Sequence, residues 1–380
     1  MSLHIPIAPA AAVALFFAVT VSGSAQRSAP PPARIDSQAD VTRRIVTAAN
    51  AVLATLDDAG RAKVQFSFDG PQKTKWSNLP SGIYQRDGLR MGDLAEPQRA
   101  SVMALLSVAL SRDGLRKVND IIRGDEVLRQ TQGGRGGGRA GGGAAPLQAV
   151  VQGGQPQGRG GRGGPGGGGT QFGQDEYYLA FVGTPSTNAP WMLQFGGHHL
   201  AINLTMAGSD ATLAPSLPAA QPATYSVEGR SVRPLGREND KGFALINALD
   251  AAQRAQAILP YRVADLVLGA GQDGRTIQPE GIRASALTAP QQTMMWELVR
   301  EWVGIMNDAY AEPRMTELRS DFRETYFAWS GPTENGSAAY FRIQGPTLVI
   351  EYAPQGGVDH IHTIYRDPTN DYGVKYARKP

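Results

Sequence analysis

A pattern that occurs twice constrains the fold of this 380-residue chain more than any other feature. Residues 56–62 read LDDAGRA and residues 249–255 read LDAAQRA, a displacement of 193. Residues 88–98 recur at the same displacement in 281–291, where both segments keep a Gly, an apolar residue and an Arg, and later a Leu, a Pro and a Gln. A fixed displacement across two separate segments indicates an internal duplication, so we expect two copies of one folding unit.

Each copy is predicted to begin with helices. The first copy opens with an amphipathic helix over 37–56, and a counterpart is predicted over 240–259 in the second copy. A further helix begins near Pro97 in one copy and near Pro290 in the other, because proline is tolerated in a first helical turn. Apolar residues then recur at helical spacing in both copies.

Each copy is predicted to end in strands. Residues 178–183 resemble residues 340–345, and the following run 191–195 resembles 348–352. These runs are rich in β-branched and aromatic residues, which is typical of strands. The chain is therefore predicted to be an α+β protein of two tandem repeats, each a helical part followed by antiparallel strands, with the histidine-bearing strands facing a shared site.

Repeat one carries a glycine-rich insert. The displacement falls from 193 at the helices to 162 at these strands, so the first copy holds 193 − 162 = 31 additional residues. Residues 133–169 lie in that interval and hold 19 of the 46 glycines, four arginines and no acidic residue. Such a composition cannot offset the entropy cost of ordering, so a disordered insert is predicted. The insert has no aromatic side chain on which bases would stack, and no nucleic acid partner is expected.

The N-terminal residues are typical of a secretory signal peptide. Residues 8–21 form an apolar run and the small residues 23–25 suit a cleavage site, which predicts a signal peptide over 1–25. The run is shorter than the roughly 20 residues that span a bilayer, so no stable membrane anchor is expected. The protein is predicted to be exported to a periplasm or secreted, and the absence of cysteine excludes disulfides.

These boundaries together predict the organisation of the chain. The two repeats are joined by a polar, proline-containing linker. The predicted parts are a signal peptide (1–25), a disordered N-terminal segment (26–35), repeat one (36–214) with its insert (133–169), a linker (215–238) and repeat two (239–380).

Four histidines follow the predicted signal peptide, in two pairs that each follow a Gly-Gly dipeptide: His198 with His199, and His360 with His362. Because residues two apart on a strand share one face, His360 and His362 would point the same way. A bulge at 196–197 would let both His198 and His199 join them, whereas a regular strand would admit only His199. Imidazole is the commonest transition-metal ligand, so all four are candidate ligands, although histidines on duplicated strands are also often structural.

Polar residues near the histidines are candidates for the chemistry of the site. Glu351 is predicted as a general base or a fourth ligand, and His198 as a ligand or proton shuttle. Five further residues are predicted to orient a ligand or to bind substrate: Gln194, Asn203, Asp359, Tyr365 and Arg366.

The predicted site suits a divalent transition metal, and zinc, copper, iron and manganese all remain candidates. A metal with an open coordination position activates water, which favours a metal-dependent hydrolase. A copper- or iron-dependent oxidoreductase and a non-catalytic metal- or ligand-binding module are the alternatives. The chain lacks Gly-x-Ser-x-Gly, His-Glu-x-x-His and Gly-Lys-Ser/Thr motifs, which excludes the commonest serine-hydrolase, zinc-protease and phosphate-loop signatures. The substrate, whether a small molecule or a polymer, and the oligomeric state are not indicated.

The histidine segments resemble a bacterial and fungal family, domain of unknown function 3500. The resemblance is carried by residues 190–203, with Pro-Trp, Gly-Gly-His-His-Leu and Asn, and by the tail 359–373, DHIHTIYRDPTNDYG. It covers nearly the whole chain after residue 25 except the insert. The resemblance implies that these segments belong to one unit, and it implies no particular reaction.

Overall fold

Apolar stripes on the helices form the core of the protein. The structure is a computed structural model that describes Met1, residues 36–133 and residues 170–377. In the first helix Val41, Ile45, Ala49 and Val52 recur at helical spacing and are buried. The predicted signal peptide, N-terminal segment and insert lie outside the described residues, apart from Met1 and Gly133. The described helices are α1 (Gln38–Ala54), α2 (Asp58–Val64), α3 (Glu96–Ala109), α4 (Arg112–Gly133), α5 (Gly236–Ala248), α6 (Ala251–Ala257), α7 (Ala289–Val303) and α8 (Asp308–Asp321).

Antiparallel sheets pack against these helices, and only β1 with β3 is a parallel pair among the described strands. The strands are β1 (Gln65–Phe66), β2 (Leu89–Arg90), β3 (Tyr178–Val182), β4 (Trp191–Gly197), β5 (Leu200–Ala207), β6 (Asp210–Thr212), β7 (Leu217–Pro218), β8 (Tyr225–Val227), β9 (Arg230–Val232), β10 (Ile282–Arg283), β11 (Tyr326–Ser330), β12 (Tyr340–Gly345), β13 (Leu348–Pro354) and β14 (Ile361–Arg366). One sheet has the order β1-β3-β4-β5-β6, with β2 on β3 and β7 on β5, a second has the order β10-β11-β12-β13-β14, and β8 pairs with β9. The α+β class is confirmed.

The two larger sheets pair their strands in the same register. Tyr178 pairs with Gly196 between β3 and β4, and Tyr326 pairs with Gln344 between β11 and β12. Both residues of the second pair lie 148 positions after those of the first, since 326 − 178 = 148 and 344 − 196 = 148. The turn between β4 and β5 and the turn between β12 and β13 keep this displacement.

This register corrects the predicted alignment of the strands. Residues 178–183 (YLAFVG) correspond to residues 326–331 (YFAWSG) and not to 340–345. At this register the displacement between the two sheets is 148, in place of the predicted 162. The turn with His198 and His199 corresponds to Pro346-Thr347, so the two histidine pairs do not occupy equivalent places in the two sheets.

The halves contact each other reciprocally where the connection between α3 and α4 meets that between α7 and α8. The N–H of Ser111, the residue before α4, donates to the carbonyl of Ile305 at 3.0 Å. The N–H of Asn307, the residue before α8, donates to the carbonyl of Ala109 at 3.0 Å. Each of these two connections therefore donates one backbone hydrogen bond to the other.

Part of the predicted linker joins the two sheets. Residues 212–220 are buried, and within them Leu217 pairs with Ala201 of β5. Ser216 forms an isolated bridge with Tyr365 of β14. This segment lies between β5 and β14, so it brings the start of β5 and the start of β14 together. No helix within the described ranges combines the length and the apolarity needed to cross a membrane.

Candidate metal centre

Three of the predicted histidine ligands converge on one point. His199 lies in the turn between β4 and β5, His362 lies on β14, and His360 immediately precedes that strand. One ring nitrogen from each lies within 4.8 Å of the others. The Nε2 atoms of His199 and His360 are 2.9 Å apart, close to the roughly 3.3 Å that two imidazoles on one tetrahedral zinc ion would show. These three side chains could hold a metal ion.

The backbone of the β4–β5 turn explains how His199 reaches this point. His199 has a φ of 61°, a left-handed conformation that is uncommon for a residue with a side chain. Gly197 packs so closely that a Cβ there would lie 2.8 Å from the carbonyl oxygen of Glu176. Ala219, on the segment between the sheets, donates its N–H to the carbonyl of His199 at 2.9 Å. The turn is therefore fixed on both sides of the histidine.

His198 is not among the three side chains whose ring nitrogens converge. Its Nδ1 lies 2.5 Å from the Oδ1 of Asp125, a carboxylate on α4 that is 1% exposed. The other carboxylate oxygen of Asp125 accepts the N–H of Gly173 at 2.8 Å. The His198 ring stacks on that of His199 with 3.6 Å between centroids, and Phe172 meets it edge-on. His198 is thus adjacent to the triad with its Nδ1 held by a buried acid.

His362 contacts two polar side chains outside the triad. Its Nδ1 lies 3.1 Å from the Oδ1 of Asp265, which is half exposed. Because a carboxylate only accepts, Nδ1 carries the hydrogen and Nε2 keeps the lone pair, the arrangement found in carboxylate–histidine–metal sites. Asn78 places its amide nitrogen 3.3 Å from Nε2 of His362.

The environment keeps two of the three converging histidines, His199 and His360, neutral. Burial and the neighbouring imidazoles lower the pKa of His199 well below its usual value. The same causes lower the pKa of His360 to about 3. Neutral imidazole is the form that binds metals, so these two side chains are ready for coordination over the physiological pH range.

The metal-free protein is expected to lose stability as the pH falls from 6.5 towards about 3. Across this window His360 binds a proton more readily in the unfolded chain than in the folded one, and this difference favours unfolding. Replacing His360 with glutamine, which does not titrate, should make the unfolding free energy depend less steeply on pH, because unfolding then takes up fewer protons, by up to about one. Denaturant unfolding from pH 4 to 8 in a chelator measures the slope, and an unchanged slope would contradict a neutral His360.

Glu351 does not reach the histidines. Its buried carboxylate accepts the hydroxyl of Tyr340 at 2.6 Å and the backbone N–H groups of Val267 and Leu268 at 3.0 and 2.7 Å. These three donors occupy both oxygens. The carboxylate, which lies on β13, therefore binds the loop that contains Asp265. Its predicted contact as base or fourth ligand is not found.

The other predicted polar residues also have partners away from the triad. The Gln194 amide donates to Asn203, whose amide donates to the carbonyl of Pro215. Asp359 accepts the N–H of Ala223, and the hydroxyl of Tyr365 accepts from Arg314. Arg366 is saturated by acceptors that lie on the loop before β10 and on the C-terminal tail: Leu268, Gly269, Asp273 and Asp371. These residues stabilise the frame around the site, and none is among the groups that could hold the metal.

Three site residues were missed by the sequence analysis: Asn78, Asp125 and Asp265. The sequence does contain a signal for Asp125, because this residue falls on the buried stripe of α4 that includes Val118 and Ile121 at helical spacing. A carboxylate on such a stripe requires a partner, since burying an unpaired charge is costly. Asn78 and Asp265 lie in irregular segments whose paths no local pattern predicts.

A mixed α+β fold that brings three histidines to one point defines a protein with a candidate transition-metal centre. Residues 38–374 match the family described as protein of unknown function (DUF3500). Because this match covers most of the chain, the protein belongs to that family, and the predicted family membership is confirmed. No curated protein and no solved structure matches the chain.

Proposed function

We propose that the protein is a metal-dependent hydrolase in which His199, His360 and His362 bind one divalent transition metal. The observation that carries the proposal is the convergence of three ring nitrogens within 4.8 Å. Among the described residues no carboxylate joins this group, which leaves a coordination position for water or substrate. Three protein ligands with an open fourth position are characteristic of catalytic zinc sites, whereas structural sites have four protein ligands.

His198 and Asp125 supply a proton acceptor beside the ligands. With Nδ1–H donated to Asp125, the Nε2 of His198 keeps a lone pair that accepts a proton from water. The buried carboxylate fixes the tautomer and stabilises the imidazolium that forms. A bound metal would lower the pKa of its water towards neutrality, and in this proposal His198, whose ring stacks on that of His199, takes the proton away.

An all-imidazole set favours zinc or copper over manganese, which prefers oxygen ligands. It also differs from the two-histidine, one-carboxylate set of many iron oxygenases. A copper-dependent oxidoreductase is therefore the principal alternative, and a binding module with closed coordination is the other. We assign zinc first because three-histidine sites are typical of water-activating zinc enzymes.

The proposed setting of this activity is an exported, duplicated protein. Export rests on the apolar run 8–21 and the small residues after it. Duplication is supported by the displacement of 193 in the helical parts, by the constant 148 in the sheets and by the reciprocal contacts of Ser111 and Asn307. The proposal includes no nucleic acid partner and no membrane anchor.

Elemental analysis of the purified protein is expected to find about one zinc or copper ion per chain, and hydrolysis of 4-nitrophenyl acetate that a chelator abolishes and zinc restores. The double variant His360→Ala, His362→Ala should contain no metal. Failure of the wild type to take up zinc, copper, iron or manganese would overturn the metal site. Metal-dependent consumption of dioxygen without hydrolysis would instead favour the oxidoreductase, and a metal inaccessible to azide would favour the binding module.

A further inference from the structure

Among the described residues, the side chain of Asn78 has only weak hydrogen-bond contacts. Its amide nitrogen lies 3.3 Å from Nε2 and 3.5 Å from Nδ1 of His362, which is long for a hydrogen bond and shared between two atoms of one ring. The amide is therefore held against a ligand histidine by a weak contact.

The backbone of Asn78, by contrast, is firmly held. One nitrogen of the Arg86 guanidinium, Nη2, donates to the carbonyls of Ser77 and Leu79, on either side of Asn78, at 2.7 and 2.6 Å. The same nitrogen donates to the carbonyl of Gly197 at 2.9 Å, just before the histidine turn. The carbonyl of Asn78 itself accepts the N–H of His199 at 3.3 Å. Asn78 is thus fixed relative to the proposed ligands.

A bound metal would leave the Asn78 amide without its present acceptor. His362 has two ring nitrogens, of which Nδ1 carries its hydrogen towards Asp265 and Nε2 offers the only lone pair. Once the metal takes that lone pair, the N–H groups of Asn78 face the site with nothing to donate to. An unused donor next to an open coordination position is suited to an oxygen atom of the substrate.

We propose that Asn78 is a catalytic residue that donates a hydrogen bond to the carbonyl oxygen of an ester or amide substrate as that oxygen becomes negatively charged. This inference rests on the proposed hydrolase function. Water adds to the carbonyl carbon and gives one proton to His198, while the carbonyl π electron pair moves onto the oxygen beside Asn78. When this pair re-forms the carbonyl, the bond to the leaving oxygen or nitrogen breaks and the leaving group takes the proton from His198. Ester and water thus give acid and alcohol.

The test compares Asn78→Ala and Asn78→Asp with Asn188→Ala, which alters an exposed asparagine in the turn before β4. Asn78→Ala should retain one zinc ion, while kcat for 4-nitrophenyl acetate falls about 100- to 1000-fold, the usual cost of losing an oxyanion donor. The visible spectrum of the cobalt-substituted protein, titrated with acetate, should show at least about tenfold weaker binding. Asn78→Asp should bind acetate more weakly still, because its carboxylate repels the anion, and Asn188→Ala should match the wild type.

Results that differ from these expectations would contradict the inference. A wild-type kcat and acetate affinity in Asn78→Ala would overturn it while leaving the metal site intact. Loss of zinc in that variant would show that Asn78 only supports His362. A wild-type protein that takes up no cobalt would overturn the proposed metal function as well, so the two failures are distinguishable.

Discussion

Replacing His199 with alanine is expected to leave the protein without stoichiometric zinc, whereas replacing the adjacent His198 is expected to leave the zinc content unchanged. His199 contributes one of three converging nitrogens, while the Nδ1 of His198 is bound by Asp125. Even partners that only orient a ligand contribute about 10- to 100-fold to metal affinity, so loss of a ligand should cost more than 100-fold. Equilibrium dialysis against a zinc buffer, followed by elemental analysis, measures both affinities.

The variants of His198 and His199 can be compared directly, because the two side chains occupy one turn, stack on each other and are both almost fully buried. Removing His198 leaves the carboxylate of Asp125 buried without its imidazole partner, so the double variant His198→Ala, Asp125→Asn serves as the stability control. Circular dichroism establishes that each variant is folded. Zinc retained in a folded His199→Ala protein, or lost from a folded His198→Ala protein, would show that the ligand assignment is reversed.

The helical half of the fold was easier to predict from the sequence than the sheets. The apolar spacing that predicts a helix over 37–56 is local, and α1 spans Gln38–Ala54. Strand pairing is not local, and a short run such as YLAFVG resembles both YFRIQG and YFAWSG. Only the pairing of β2 with β3 and of β10 with β11 identifies the second of these as the counterpart.

In the candidate site, too, features set by local patterns could be predicted from the sequence, and long-range contacts could not. His360 and His362 share a strand face by simple alternation. The bulge predicted at 196–197 is not found, because both glycines pair regularly on β4 and the left-handed φ belongs to His199 itself. The other side chains of the site come from a helix and two irregular segments far away in sequence. The buried stripe of α4 marked Asp125, but no spacing pointed to Asn78 or Asp265. Glu351 is near the histidines in sequence, but its carboxylate accepts hydrogen bonds from three other donors.

Replacing Gly281 with alanine is expected to cause the largest loss of stability of any single methyl addition that we consider. Gly281 has a φ of 96°, and a Cβ there would lie 2.1 Å from the carbonyl oxygen of Phe327 on β11. The left-handed conformation alone costs roughly 1–2 kcal/mol. Relieving the clash requires β10 to move away from β11, which adds about 1–3 kcal/mol. Denaturant unfolding should therefore show a loss of about 2–5 kcal/mol.

Gly274 separates the two contributions, because it has a φ of 74° and a Cβ there would meet no atom within 4 Å. Gly274→Ala should therefore cost only the roughly 1–2 kcal/mol of the backbone conformation. Gly88 extends the test to the other half of the chain, since it precedes β2 as Gly281 precedes β10, and its Cβ would lie 2.4 Å from the carbonyl oxygen of Leu179. Gly88→Ala should resemble Gly281→Ala. If both behaved like Gly274→Ala, the close approach of each glycine to its neighbouring strand would be refuted, and with it the structural reason for the repeated Gly-apolar-Arg triplet.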